Sequence, residues 1–180
     1  MMLAAADSVL VLVDVQGRLA EAMPEPERLF QRCGLLLQAA ARLDVPVWVT
    51  EQVPEKLGPT HAALLAWVKD TPRWAKSTFS CCGAPGFAEA LAVTSRRQLV
   101  LCGIEAHVCV TQTALELRAA GREPWVVADA VGPRAAAARE IALGRLARAG
   151  VGLLGAESVL FEWLRDARHP AFRELARLLR

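Results

Sequence analysis

Three residue types with hydrolytic potential stand near the ends of apolar runs. Asp14 closes the run V-L-V-L-V, Lys76 lies within R-W-A-K-S-T-F (residues 73–79), and Cys109 follows C-G-I-E-A-H-V (residues 102–108). A cysteine attacks as the thiolate, which a helix N-terminus and a nearby ammonium favour. A carboxylate within reach can take the thiol proton and later return it to a leaving amine. Backbone N–H groups in the turn before a helix can hold a developing oxyanion. Each residue also has a plainer reading: a strand-terminal Asp as a turn residue, a loop lysine as a solvated charge, a helix-opening cysteine as inert filling. Residue types alone leave both readings open.

The elements that must position these groups follow from hydrophobic patterning. Four nearly continuous, β-branched-rich runs (residues 9–13, 45–49, 98–102 and 124–128) read as strands covered on both faces. Helical patterns occupy residues 27–43, 87–92, 113–121 and 134–150, the last two ending on glycine. A short strand at 151–154 and two closing helices, around 157–165 and 170–179, complete the chain. The alternation predicts an α/β fold in one domain over residues 1–180: a three-layer, Rossmann-like, doubly wound parallel sheet of about six strands with helices on both faces. In such sheets ligands lie beyond the carboxyl ends of the strands, where Asp14, Lys76 and Cys109 are expected to meet. Residues 52–86 read as one long irregular region, a length that usually signals function. Asp129, ending the fourth run, reads as a cap for the helix that follows it.

Composition narrows the classes of function. With 54% hydrophobic and 22% charged residues, the 180-residue chain is globular rather than disordered. Net charge is +2 and the arginines are scattered without a basic stripe, so no nucleic-acid partner is expected. The apolar run ending at Val13 is too short to span a bilayer and has no signal-peptide pattern, so no membrane partner is expected. Five cysteines, an odd number, without a secretory pattern suggest reduced thiols and a cytoplasmic location. Cys81 and Cys82 are read as structural thiols.

Taken together, three segments in order resemble the isochorismatase-like hydrolases, also called cysteine hydrolases, over nearly the whole chain. They are V-L-V-D-V-Q with Asp14 and Gln16, K-S-T-F with Lys76 and Phe79, and G-I-E-A-H-V-C-V-T-Q-T from Gly103 to Thr113. The G-I-E-A-H-V-C segment and the closing H-P-A-F-R-E-L (residues 169–175) are similar to one subgroup, the isochorismatase domain-containing protein 2 type. The resemblance implies a triad: Asp14 as general base and acid, Lys76 stabilising thiolate and oxyanion, and Cys109 as nucleophile. It also implies a cis peptide joining Ile104 to Glu105, aiming the N–H groups of Glu105 and Cys109 at the oxyanion. Ala106 stands where many relatives carry threonine, so the resemblance implies that a side-chain bond formed in that turn elsewhere is absent here. Gln16, Trp74, Phe79 and Ala106 are read as pocket residues, with Gln16 orienting Lys76 or a polar substrate atom and the two aromatics stacking on a planar substrate. His107 reads as a structural or interface residue.

The family's zinc-dependent nicotinamidases carry an Asp-x-His pair after the second strand. Here the stretch is Glu51, Gln52, Val53 and Pro54, a poor donor set even with His61 added, so neither metal nor cofactor is expected. The expectation is a metal-independent cysteine hydrolase cleaving a C–N bond of a small amide, imide or carbamoyl compound. The partners expected are a small-molecule substrate and further copies of the chain, as a dimer or tetramer. The rival readings are a vinyl-ether hydrolase using Asp14 without covalent catalysis, and a non-catalytic binding protein on the same fold.

Overall fold

The computed structural model describes residues 2–179. Six strands carry the fold: β1 Ser8–Val13, β2 Val47–Gln52, β3 Arg73–Lys76, β4 Gln98–Ile104, β5 Glu123–Gly132 and β6 Gly152–Leu154. The helices are α1 Gly17–Glu21, α2 Pro26–Arg42, α3 Pro54–Leu57, α4 Ala62–Val68, α5 Phe87–Val93, α6 Thr111–Ala119, α7 Ala136–Arg148, α8 Ala156–Leu164 and α9 Phe172–Ala176. All strand pairings are parallel, in the order β3-β2-β1-β4-β5-β6. The direction of winding reverses between β1 and β4, and a crevice opens at such a switch point.

The near-continuous apolar runs exist because both faces of the sheet are covered. In β1, Leu10 and Leu12 join one core while Val9, Val11 and Val13 join the other. The first core is closed by α2, whose Leu29, Cys33, Leu36, Leu37 and Ala40 recur at helical spacing, together with α4 and α8. The second is closed by Phe87 and Leu91 of α5, Ala114 and Leu117 of α6, and Leu146 of α7. The sheet with helices on both sides is thus the α/β architecture expected from the alternation. Among the described residues no helix is long and apolar enough to cross a membrane.

The structure corrects the sequence reading in three places. The region 52–86 is not uniformly irregular: it contains α3, α4 and β3. These pieces escape pattern reading because they span only four to seven residues, too few for either period to repeat. Strand β3 also lies at the sheet edge, with Arg73 and Ala75 exposed. Strand β5 continues to Gly132 through an irregularity, since Leu101 lies opposite Val126 but Gly103 lies opposite Val131. Within that irregularity Asp129 accepts a 2.7 Å hydrogen bond from the Ala156 N–H and pairs with Arg32 at 3.3 Å. It therefore caps α8 rather than the adjacent α7, because the bulge turns it toward the neighbouring β6–α8 connection.

Candidate active site

At the end of β1 the chain departs from extended geometry, with Asp14 at φ +51°. Its N–H is held by the Thr50 carbonyl at 3.1 Å, fixing the departure against β2. The buried Asp14 carboxylate then meets two donors. Lys76 Nζ donates to Oδ2 at 2.6 Å and Thr50 Oγ1 donates to Oδ1 at 2.8 Å. Thr50 Oγ1 also lies 3.5 Å from Cys81 Sγ. With the threonine proton committed to Asp14, the Cys81 S–H becomes the donor in that contact.

Lys76 ends β3 with its side chain fully buried. Besides Asp14, its ammonium donates to Gln52 Oε1 at 2.6 Å, Phe79 O at 3.0 Å and Thr78 O at 3.2 Å. An ammonium has three N–H donors, and here four acceptors surround them. Its hydrogen-bonding capacity is spent within the protein. Lys76 therefore orients Asp14 and anchors the 77–79 loop, and it can influence the rest of the cleft only through its field, not by direct donation.

Cys109 is positioned by the turn after β4. Gly103, at φ +116°, passes so close to β1 that a Cβ there would lie 2.1 Å from the Val13 carbonyl oxygen. The Ile104–Glu105 peptide is cis. A wide helical turn over Ala106–Val110 follows, with the Val108 and Val110 N–H groups both donating to Glu105 O at 3.1 and 3.2 Å. The turn runs directly into α6 and leaves Cys109 7% exposed. Burial and the adjacent Asp14 carboxylate push the Cys109 thiol up to about 12, against the opposing pull of Lys76. The resting residue is a thiol, not the preformed thiolate that lysine and helix N-terminus alone would suggest. Asp14 is itself raised, by burial first, while Lys76, Thr50 and Cys109 pull it down. A carboxylate so placed is a stronger base than an ordinary one.

The cleft above these groups, of about 340 Å³, has Leu19, Leu57, Phe79, Ile104 and Val108 as apolar walls, with Asp14, Gln52, Glu105, Cys109 and Arg134 as polar lining. Arg134 grips the Glu105 carboxylate with both arms of a fork, Nε to Oε1 at 2.6 Å and Nη2 to Oε2 at 3.0 Å. Of the residues singled out from sequence, the structure brings Asp14, Lys76, Cys109, Ile104, Glu105 and Phe79 together. It takes three elsewhere. Gln16 is buried, donating to Gly58 O and Gln52 O and accepting from the Gln52 N–H, so it braces two loops and does not reach Lys76. Trp74 packs with Trp48 and Phe87, ring centroids 5.3 and 5.4 Å away, outside the cleft. Ala106 points into the second core.

Gln52, Thr50 and Arg134 were missed. Gln52 and Thr50 border the second strand's carboxyl end, where the topology rule already looked, but Gln52 had been weighed only as a zinc ligand. No sequence pattern separates Arg134 from the other arginines. The improvised metal donors are committed elsewhere. Glu51 accepts from the Thr60 N–H and Oγ1 at 2.8 and 2.7 Å, and His61 caps α4, faces Glu21 and stacks on Phe30. Among the described residues no three His, Cys, Asp or Glu side chains gather as a metal site.

The crevice at a doubly wound switch point, with an acid, a buried lysine and a thiol, is the architecture of an α/β hydrolytic site. Residues 8–158 match the isochorismatase domain. The chain is 37% identical over 172 residues to isochorismatase domain-containing protein 2 of both Xenopus laevis and Danio rerio, covering 96% of this chain and 83% and 86% of theirs. Among solved structures it is similar to the MAR1 ribonuclease of Caenorhabditis elegans (TM-score 0.93, 32% identity, covering 99% of this chain and 92% of that one). It is likewise similar to the YcaC gene product of Escherichia coli, described as an octameric hydrolase of unknown specificity (TM-score 0.93, 28% identity, 99% and 89% covered). A third similar structure is YcaC from Pseudomonas aeruginosa with hexane-2,5-diol and covalent acrylamide (TM-score 0.88, 25% identity, 99% and 96% covered). The chain belongs to the isochorismatase family and is a hydrolase of that family, similar in sequence to the domain-containing protein 2 type.

Proposed function

We propose that the protein is a metal-independent cysteine hydrolase that cleaves the C–N bond of a small amide, imide or carbamoyl compound. The observation that carries this reading is the Cys109 thiol beside an Asp14 carboxylate that Lys76 and Thr50 hold from its other sides. With a carbonyl carbon at Sγ, Asp14 takes the thiol proton as the C–S bond forms. The backbone N–H groups of Glu105 and Cys109 take the oxyanion. Collapse breaks the C–N bond, and the proton held on Asp14 passes to the leaving nitrogen. Asp14 then deprotonates a water that cleaves the thioester, releasing the acid and restoring the thiol. A thiol that rests protonated and is deprotonated only with substrate in place makes Asp14, not Lys76, the group that sets reactivity.

A chain of the same fold that holds covalent acrylamide supports an electrophile-accepting site. The ribonuclease name of the Caenorhabditis elegans neighbour fits less well here, since the cleft has largely apolar walls and a single exposed guanidinium, Arg134. Turnover of small amides, carbamoyl compounds, isochorismate and a short RNA by the native chain and by Cys109→Ser is the decisive assay. On the covalent reading, amide turnover falls by about 10²-fold or more in Cys109→Ser, and a trapped acyl group adds mass to the Cys109 peptide. Ether cleavage that survives the substitution would move the assignment to acid catalysis by Asp14. Assembly into homo-oligomers is part of the proposal. Light scattering decides between the dimer or tetramer expected here and the eight copies described for the Escherichia coli neighbour.

A further inference from the structure

We infer that Thr50 is a positioning residue for Asp14 and that Cys81, one step behind it, fixes the direction of its proton, so that the segment 76–81 holds both oxygens of one carboxylate. This rests on the reading of Asp14 as the base of a cysteine hydrolase and adds the groups that set the strength of that base. Thr50 is fully buried near the end of β2, on the face of the strand that Trp48 turns toward the second core. A hydroxyl buried there is costly unless it is hydrogen-bonded. Its two contacts are Asp14 Oδ1 at 2.8 Å and Cys81 Sγ at 3.5 Å. A valine would fill the same place in a strand without that cost.

The segment closes a ring around the carboxylate. Lys76 donates to Asp14 Oδ2 at 2.6 Å and to the carbonyls of Thr78 and Phe79, which tie the ammonium to its own loop. Thr78 Oγ1 donates to Ser80 O at 2.9 Å. Cys81 then opens a short turn, Cys81–Gly83, that α6 holds at two points. The Cys81 N–H donates to Thr113 Oγ1 at 2.9 Å, and Ser80 Oγ donates to Glu116 Oε2 at 2.7 Å. From there the sulfur reaches Thr50 and, through it, the second oxygen of Asp14. Because α6 follows directly on the Cys109 turn, one helix holds thiol and base in a common frame.

The polarity of the ring follows from what each group can give. A carboxylate only accepts, so the Thr50 proton goes to Oδ1 and the Cys81 S–H is the donor left for the Thr50 oxygen. Burial pushes the Cys81 thiol up to about 12, so that donor persists wherever a carboxylate titrates. A hydroxyl that accepts one hydrogen bond donates a stronger one. Each donation to Asp14 favours its charged form and opposes the rise that burial causes. The other groups facing Asp14 are Lys76 from β3 and Cys109 from the turn after β4, with the Glu105–Arg134 pair lining the same cleft.

The test is a carbon-13 NMR titration of the Asp14 carboxyl, its signal assigned by its loss in Asp14→Asn. In Thr50→Val the Asp14 midpoint is expected to rise by about one pH unit or more, through loss of a hydrogen bond to a charged group. Thr50→Ser, which keeps the hydroxyl, is expected to leave the midpoint near its native position. Cys81→Ala is expected to raise it by roughly a tenth to a third as much as Thr50→Val does, and to add nothing in the Thr50→Val background. That non-additivity separates a residue acting through the hydroxyl from one that merely fills space. Circular dichroism confirms folding, and Thr50→Ala repeats the measurement if Thr50→Val unfolds. An unmoved or lowered midpoint on loss of the hydroxyl, a Thr50→Ser protein that behaves like Thr50→Val, or a Cys81→Ala shift that persists without the hydroxyl would each overturn the inference. Where an amide is turned over, the acid limb of kcat/KM is expected to move up with the midpoint while the rate at high pH is kept. A midpoint that moves without the limb leaves the clamp on Asp14 standing and sinks the reading of Asp14 as the hydrolase's base.

Discussion

At the scale of single residues, the counterintuitive partner is Asp14, which raises the Cys109 thiol and is also the base of the mechanism we propose. Asp14→Asn removes that negative neighbour and leaves Lys76 unopposed. Iodoacetamide alkylation of Cys109 at pH 8 is therefore expected to accelerate, while turnover falls by about 10²–10⁴-fold. Slower alkylation in the variant would show that Asp14 activates the resting thiol instead. The native enzyme also has a defined pH response. Burial lifts Asp14 above the ordinary carboxylate range, so kcat/KM is expected to rise with pH along a limb displaced upward from that of an ordinary aspartate. The convergence of Asp14 and Cys109 was legible because each follows a readable strand and topology brings strand ends together, whereas Lys76, on the unread β3, entered through the resemblance of the three segments. Gln16 and Trp74 were not legible in the same way. A buried glutamine satisfied by Gly58 and Gln52 has the same sequence signature as one facing a ligand, and a tryptophan two residues before the lysine shares its face of the strand yet is packed on Trp48 and Phe87 instead of lining the cleft.

At the scale of elements, the long strands and helices were readable because each repeats its period several times, whereas α3, α4 and β3 do not. The short β3 nevertheless matters most to the site, since its last residue delivers the lysine. The turn after β4 depends on how closely two strands approach. At Gly103 a side chain would need a rarely adopted backbone conformation and would meet the Val13 carbonyl oxygen at 2.1 Å. Gly103→Ala is expected to destabilise the fold by more than about 4 kcal/mol, in the range reserved for severe packing or backbone conflicts. Urea unfolding, or loss of soluble yield, measures it. A stable Gly103→Ala protein would show that β1 and β4 can separate at the site without harm.

For the whole molecule, the two cores contain thiols whose titration is opposed by burial. Cys81 and Cys109 are each pushed up to about 12 from 9.0, burial being the main cause in both. Folding therefore favours their protonated forms. That contribution is fully present below about pH 9 and is lost as pH rises toward 12. Melting temperature is expected to decline over this window, and Cys81→Ala is expected to lessen the slope. A slope unchanged in Cys81→Ala would place the alkaline weakness elsewhere. The fold class was legible from the alternation of elements. The partition of cysteines between site and core was not legible from that alternation and needed the resemblance, because a thiol beside a buried carboxylate and one in a hydrophobic layer share the same residue type.

The four acceptors around Lys76 have a consequence for ionic strength. A cation enclosed by Asp14, Gln52 and the carbonyls of Thr78 and Phe79 is built in, and dissolved ions do not exchange with it. The pair it forms is buried, where mobile ions screen poorly, while Arg134 lies where they screen well. Added sodium chloride is thus expected to loosen the Glu105–Arg134 pair while kcat stays level, and a kcat that falls with salt would show that solvent ions reach the Asp14–Lys76 pair. An enzyme with this arrangement keeps its chemistry constant across salt concentrations.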